Sequence, residues 1–240
     1  MIRTMWVVAA ATAVTASTAA AQDNCRFEAS RSATIQASAG DRLDLIARAG
    51  SLTIRGREGM TEVRVRGRAC ASSEELLEQV QLESRRSGGT IHVEVPEVDM
   101  GSWRSGGNRY ASLHLEIDVP MGMVADIEDG SGSTDIDGLG DLRIEDGSGE
   151  IRMSNMQGDV TIDDGSGDIV IAGARGTVRV EDGSGSIEVR DVRGDVVVED
   201  GSGSIDVRDV AGDFIVDRDG SGGISHSGVR GRVDIPRRRR

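Results

Sequence analysis

Lysine is missing altogether, so the 28 basic side chains of this 240-residue chain are all arginine. No function follows from that. Aromatic residues are scarce, at 2%, which excludes a ring-rich core and leaves few platforms on which sugars could stack. No Pro- or Ser-rich linker divides the halves, so the chain reads as one continuous β body. The only long apolar stretch, Met5 to Ala21, is shorter than the ~20 residues a membrane-spanning helix needs. It follows Arg3 and ends in Ala19-Ala20-Ala21 before polar Gln22-Asp23-Asn24, which predicts a signal peptide cleaved after Ala21 and no transmembrane segment thereafter. The residues before Cys25 lack the apolar and small pattern of a lipoprotein site. Cleavage removes one Arg and no acid, leaving 27 Arg against 41 acids and a net charge of −14. That acidity argues against nucleic acid as the main partner.

Cysteine is nearly absent too. Cys25 and Cys70 are the only two, with no C-x-x-C spacing for metal or redox chemistry, and export favours a disulfide between them. Closing this 45-residue separation contributes roughly 4 kcal/mol on the chain-entropy estimate.

Glycine, by contrast, is plentiful at 33 residues, about twice the usual ~7% share. It recurs. The tetrapeptide DGSG begins at Asp129, Asp146, Asp164, Asp182, Asp200 and Asp219, at spacings of 17, 18, 18, 18 and 19. Between these turns a second glycine recurs at Gly140, Gly158, Gly176, Gly194, Gly212 and Gly231, followed by Asp in four of the six cases. A period this short with two corners per unit predicts a solenoid. In the unit from Asp182, Ile187, Val189 and Val192 lie on one limb and Val196 and Val198 on the other, with strand rather than helix period. The same offsets carry Ile151, Met153, Met156, Val160 and Ile162 in one neighbouring unit, and Ile205, Val207, Val210, Phe214 and Val216 in another. A coil of two short strands cannot bury its apolar face alone, so coils must stack with parallel pairing, like residue over like. A right-handed path is expected. An Asp before Gly can accept hydrogen bonds from the amides that follow it.

Residues 22–123 are β-rich but less periodic. Alternation marks strands at Arg42 to Ile46, Leu52 to Ile54, Val63 to Val65, Ile91 to Val95 and Leu113 to Ile117. One helix is expected, with Ser72 and Glu75 as its capping box and Leu76, Leu77 and Val80 at helical spacing. Met100 to Asn108, rich in Gly and Ser and holding Trp103, reads as a loop.

The segment Gly50-Ser51-Leu52-Thr53-Ile54, the stretch Val63 to Val80, Asp118-Val119-Pro120-Met121-Gly122 and the Gly-Ser-Gly coils together resemble the bacterial putative-adhesin family of β-strand repeat proteins. The resemblance covers nearly all of the mature chain. It implies an exported β-solenoid and supplies no catalytic residue.

Stacking places Glu128-Asp129, Glu145-Asp146, Asp163-Asp164, Glu181-Asp182 and Glu199-Asp200 on one edge. Carboxylates ~5 Å apart repel, so cations or local hydrogen bonds must offset the cost. Calcium-binding nonapeptide rolls place Asp after their glycines, whereas here Asp precedes them and the period is twice as long. The expected edge is therefore a solvated acidic ridge of Asp129, Asp146, Asp164, Asp182, Asp200 and Asp219 whose carboxylates cap turn amides, with no metal or other cofactor. Acids that are themselves the repeat do not mark a catalytic pair. His92 and His114 alternate with apolar neighbours and should face outward. His226 falls where earlier coils place Ile136, Met153, Ile171, Val189 and Val207, on the inner ladder, and fits a capping role in the last coil. Arg193-Gly194-Asp195 spells an integrin-binding tripeptide, but Gly-Asp recurs at Gly158-Asp159 and Gly212-Asp213, so only its Arg is unusual.

The expectation is therefore an all-β protein: signal peptide 1–21, an irregular β-rich part 22–123 with one short helix, a parallel two-sheet β-solenoid 124–235 with ~18-residue coils, and a basic tail 236–240. The expected function is a non-catalytic structural or interaction module of the cell envelope, exported to the periplasm or cell surface. It would be monomeric or weakly associating, with a partner at the envelope or surface. The alternative is an envelope carbohydrate-binding protein or polysaccharide-acting enzyme, favoured by a groove whose carboxylates break the repeat beside Trp103 or Tyr110.

Overall fold

The computed structural model describes residues 25–100 and 109–236. The expected signal peptide, Trp103 and the arginines at 237–240 lie outside the described residues. Alternating apolar and polar side chains make strands of most of the rest. In chain order these are β1 (Phe27–Gln36), β2 (Arg42–Ile46), β3 (Leu52–Arg57), β4 (Glu62–Ala71), a helix α1 (Glu74–Gln79), β5 (Glu83–Ser87), β6 (Thr90–Glu94) and β7 (Ala111–Pro120). The repeats add β8 (Val124–Asp129), β9 (Thr134–Asp137), β10 (Leu142–Asp146), β11 (Ile151–Met156), β12 (Val160–Asp164), β13 (Ile169–Ala174) and β14 (Val178–Asp182). The last coils comprise β15 (Ile187–Val192), β16 (Val196–Asp200), β17 (Ile205–Val210), β18 (Phe214–Asp219), β19 (Ile224–Ser227) and β20 (Val233–Asp234).

Two ten-stranded sheets face each other, one in the order β1-β4-β7-β3-β9-β11-β13-β15-β17-β19 and the other β20-β18-β16-β14-β12-β10-β8-β2-β6-β5. From β8 to β19 each coil gives one strand to each sheet and pairs in parallel with its neighbours. Val189, for example, sits between Ile171 and Val207. This is the expected parallel solenoid. Ile187, Val189, Val192, Val196 and Val198 are all at most 2% exposed, and one continuous aliphatic core runs through the stack.

Each corner has its own cause. At five of the six Gly-Ser-Gly corners the second glycine takes positive φ, for example +153° at Gly167, and a Cβ there would collide with the backbone carbonyl of Gly149 in the preceding coil. On the opposite limb, residues 189 and 192 both point inward because Asp191, at φ 60°, adds a left-handed step between them. Asn155 and Asp209 do the same at φ 53° and 54°, and Gly138, Gly173 and Gly228 hold the position elsewhere. Asn, Asp and Gly are the residues that tolerate this conformation.

The chain before residue 124 both joins the stack and closes it. β2 and β3 pair in register with β8 and β9, so residues 42–57 form a coil directly above the repeats. The 18-residue period hides this coil because the chain then makes an excursion before β8. In that excursion β6 and β7 stack on β2 and β3, while β4 and β5, together with β1 from before the coil, add antiparallel edges. The Cys25–Cys70 disulfide is present and ties the start of β1 to β4. The helix forms where expected, but Ser73 rather than Ser72 is its N-cap, accepting a hydrogen bond from the Leu76 amide at 3.3 Å. Ser72 instead continues the β4–β7 pairing: its amide donates to the Tyr110 carbonyl and its Oγ accepts from the Tyr110 amide.

Candidate functional site

The two long edges of the stack repeat polar groups from coil to coil. On the Gly-Ser-Gly edge, Asp129, Asp146, Asp164, Asp182 and Asp200 stand in register on consecutive strands, but the expected solvated ridge is wrong for them. All five are buried, at 1% to 6% exposure. The reason is parity: strands such as β10 bury alternate positions, and the last inward position falls on Asp. The solvated acids are the residues just before, Glu128, Glu145, Asp163 and Glu181. The buried carboxylates do cap their own turns, as Oδ1 of Asp146, Asp164 and Asp182 accepts from the amides of Ser148, Ser166 and Ser184 at 3.2, 3.1 and 3.0 Å. Their Oδ2 atoms are buried without a hydrogen-bond partner. Burial, and then the carboxylates of neighbouring coils, pushes the Asp146 carboxyl up to about 6 and that of Asp182 up to about 7. Burial also raises Asp129, Asp164 and Asp200. Among the described residues no group of three or more His, Cys, Asp or Glu side chains could hold a metal ion.

The opposite edge carries a groove that sequence reasoning missed. Its volume is about 890 Å³, and it spans successive coils from Asn155–Gln157 to Gly228–Arg230. Buried Met156, Ala174, Val192 and Val210 form the floor, with the left-handed residues on one wall. Gln157, Arg175, Arg193, Ala211 and Arg230 form the other wall. Arg175, Arg193 and Arg230 are exposed, and none forms an ion pair among the described residues. The available signal was the column 155, 173, 191, 209 and 228, where Asn, Gly or Asp precedes each floor residue.

Asp195 of the Arg-Gly-Asp tripeptide is a clamp between coils, its Oδ1 accepting the Asp213 amide at 2.8 Å. Asp141, Asp159 and Asp213 repeat the bond to Asp159, Thr177 and Arg232. His92 and His114 lie in different sheets and are half-buried rather than fully solvated. His92 pairs with Asp44 at 2.8 Å, and His114 Nδ1 accepts from the Ser51 amide at 3.1 Å. His226 aligns with Val207 as expected, and its ring centroid lies 6.0 Å from that of Phe214. Tyr110 lies away from the groove, on a smaller hollow of about 360 Å³ lined by Val80, Val95, Val98 and Leu113.

The family model described as Toastrack DUF4097 matches residues 41–225, which include the in-register coil of β2 and β3 and nearly every repeat. The chain belongs to the Toastrack DUF4097 family. This bears out the resemblance to the putative-adhesin family of β-repeat proteins. No curated protein matches the chain. Similar solved structures include a putative adhesin from Bacteroides fragilis NCTC 9343, at 12% identity over 87% of this chain and 97% of that one, with a TM-score of 0.38. A putative cell adhesion protein from Clostridium sporogenes ATCC 15579 shares 13% identity over 87% of this chain and 99% of its own, with a TM-score of 0.33. A protein from Parabacteroides distasonis ATCC 8503 described as a putative lipid binding protein shares 13% over 85% and 96%, with a TM-score of 0.37.

Proposed function

We propose that this chain is an exported, adhesin-like interaction module of the cell envelope, acting without catalysis from the periplasm or the cell surface. The observation that carries the reading is the groove of about 890 Å³ along the coil edge, where stacking repeats the same two wall positions at every coil and fills one of them with Arg175, Arg193 and Arg230. Such a surface suits an extended polar chain lying along the stack, because wall positions recur at each ~4.8 Å step and three of them carry an exposed arginine. Its carboxylates, Asp191 and Asp209, fill the left-handed turn position that Gly138, Asn155, Gly173 and Gly228 fill in the other coils, so the backbone conformation accounts for their residue type. The Cys25–Cys70 disulfide fits an oxidising compartment. Among the described residues no helix is long and apolar enough to cross a membrane.

The test is binding of the labelled mature chain to cell-envelope polysaccharide and to isolated cell-surface protein, compared with Arg175→Glu/Arg193→Glu. A saturable interaction weakened at least tenfold by the double reversal supports the groove. Equal binding by both forms, or cleavage of the polysaccharide, contradicts the reading.

A further inference from the structure

The column of aspartates has an unsolved electrostatic problem. In a parallel in-register stack every side chain meets its own copy ~4.8 Å away. For Val189 or Ile171 that is favourable packing, whereas for five buried carboxylates it is like charge on like charge in a medium that screens poorly. Buried polar atoms are nearly always hydrogen-bonded, yet Oδ2 of Asp146, Asp164 and Asp182 has no partner. The top of the column shows what is missing. Asp129 Oδ2 accepts from the hydroxyl of buried Thr134 at 2.8 Å. In the next coils Thr134 is replaced by Ile151, Ile169 and Ile187, which have no donor to offer. The column itself can supply that donor to its interior members, because a carboxyl group donates a hydrogen bond when protonated.

We propose that Asp129, Asp146, Asp164, Asp182 and Asp200 form a proton-binding column, in which a protonated carboxyl of one coil donates its O–H to the ionised carboxylate of the next and the rod is firmest in acid.

The surroundings support proton binding over ion pairing. The residues directly before the column on the same strands are acids, Glu128, Glu145, Asp163, Glu181 and Glu199, and the cations of these strands, Arg143 and Arg179, lie three residues before the column at exposed positions. Asp168 acts on Asp182 across the corner, and Asp219 acts on Asp200 from the next coil. The cation near the top is Arg48, beside Ala47, where the column ends because Ala takes the register position of Asp. Arg143 and Arg218 engage Glu145 and Glu199 on the outer face. The upward displacement of the Asp146 and Asp182 carboxyls, to about 6 and about 7, agrees. The sign follows directly. Between the unfolded value near 3.9 and these raised values the folded chain holds protons that the unfolded chain has released, so the column's contribution to stability is full below pH 4 and is lost as pH rises to about 7.

The experiment is a set of thermal melts of the mature chain from pH 4.5 to 8.5 at constant ionic strength, with and without millimolar calcium or magnesium. The column predicts that Tm falls by several degrees between pH 5 and pH 8. It also predicts that Asp164→Asn/Asp182→Asn flattens the profile, because a carboxamide donates at every pH. Glu145→Gln/Glu181→Gln on the solvated edge controls for general charge repulsion and should leave the slope in place. A wild-type Tm that is flat or rises over this range overturns the proposal, as does equal flattening by the surface control. A calcium-specific rise in Tm beyond the sodium chloride control, lost in the Asn variant, also overturns it and makes the column a cation site. Carbon-13 NMR of the wild-type carboxyls gives a second reading independent of the variants: at least two Asp must titrate above pH 5.5, and none doing so contradicts the column.

Discussion

In the N-terminal part, the buried carboxylate of Asp41 accepts the Ser38 amide at 2.7 Å and meets Arg86 at 2.8 Å, while Asp118 is held by Arg57 and Arg66, both at 3.0 Å. In the repeats, Asp146, Asp164 and Asp182 have only their own turn amides and one another. The difference comes from how each region is built. Non-repeating segments bring unlike residues together, so a buried charge can be given a cation. A translational stack pairs each residue with its own copy, so only self-complementary groups sit comfortably inside: aliphatic side chains, glycine backbones, and carboxyls that share protons. The stack also needs different devices at its ends. Antiparallel strands and a disulfide close one end, whereas at the other the inner ladder finishes in exposed His226 against Phe214.

The largest expected effect contrasts two glycines. Gly167→Ala should abolish folding of the stack, because a Cβ there meets the Gly149 carbonyl and neither backbone can yield without breaking the register. Gly59→Ala, in an N-terminal turn at φ +71° with open space around it, should cost about 1 kcal/mol. Circular dichroism and melting of the two variants decide it, and equal losses would show that close stacking is not what demands glycine. Next, Val189→Asp buries an unpaired charge in the ladder and should cost several kcal/mol. Glu188→Ala beside it should shift stability by less than ~0.5 kcal/mol. Denaturant midpoints that move equally would refute the strand register.

A smaller and local loss is expected at the other end. Cys25→Ser/Cys70→Ser should cost roughly 2–4 kcal/mol and show as faster amide exchange in β1 and β4, with the coils from β10 to β18 unchanged. Uniform loss of protection would mean that the two regions unfold as one. The smallest effect reverses the pH sign. The Ser38 amide and then Arg86 hold the Asp41 carboxyl below its ordinary value, so its contribution is present above pH 4 and fades as pH falls below it. Asp41→Asn should therefore weaken the chain at pH 7 and leave it nearly unchanged at pH 3, as measured by urea midpoints at both values.

The repeats were legible because their signals are local and recur. Period 2 along each limb and glycine at each corner gave the inward residues Ile187, Val189, Val196 and Val198 without any long-range information. The coil of residues 42–57 was less visible, since its neighbours in the stack are β6 to β9 and its corner has Ala47 in place of Asp. The acidic edge was read in the right place but on the wrong side. Asp146 follows Leu142 and Ile144 at period 2, and that parity is visible in the sequence, yet the usual exposure of Asp outweighed it. The groove needed the backbone: a left-handed residue at 191 explains why 189 and 192 share a face, and no side-chain pattern states it.

The most direct test of the account is removal of residues 183–200, which takes out β15 and β16 and joins Asp182 to Gly201 in the same register. If identical coils stack independently, the shortened chain keeps its β spectrum and a single cooperative melt, and small-angle scattering shows a rod shorter by about 5 Å, one strand spacing. Removing only 183–191 should leave an unfolded chain. Loss of structure in both deletions, or a folded nine-residue deletion, would contradict the 18-residue coil on which the account rests.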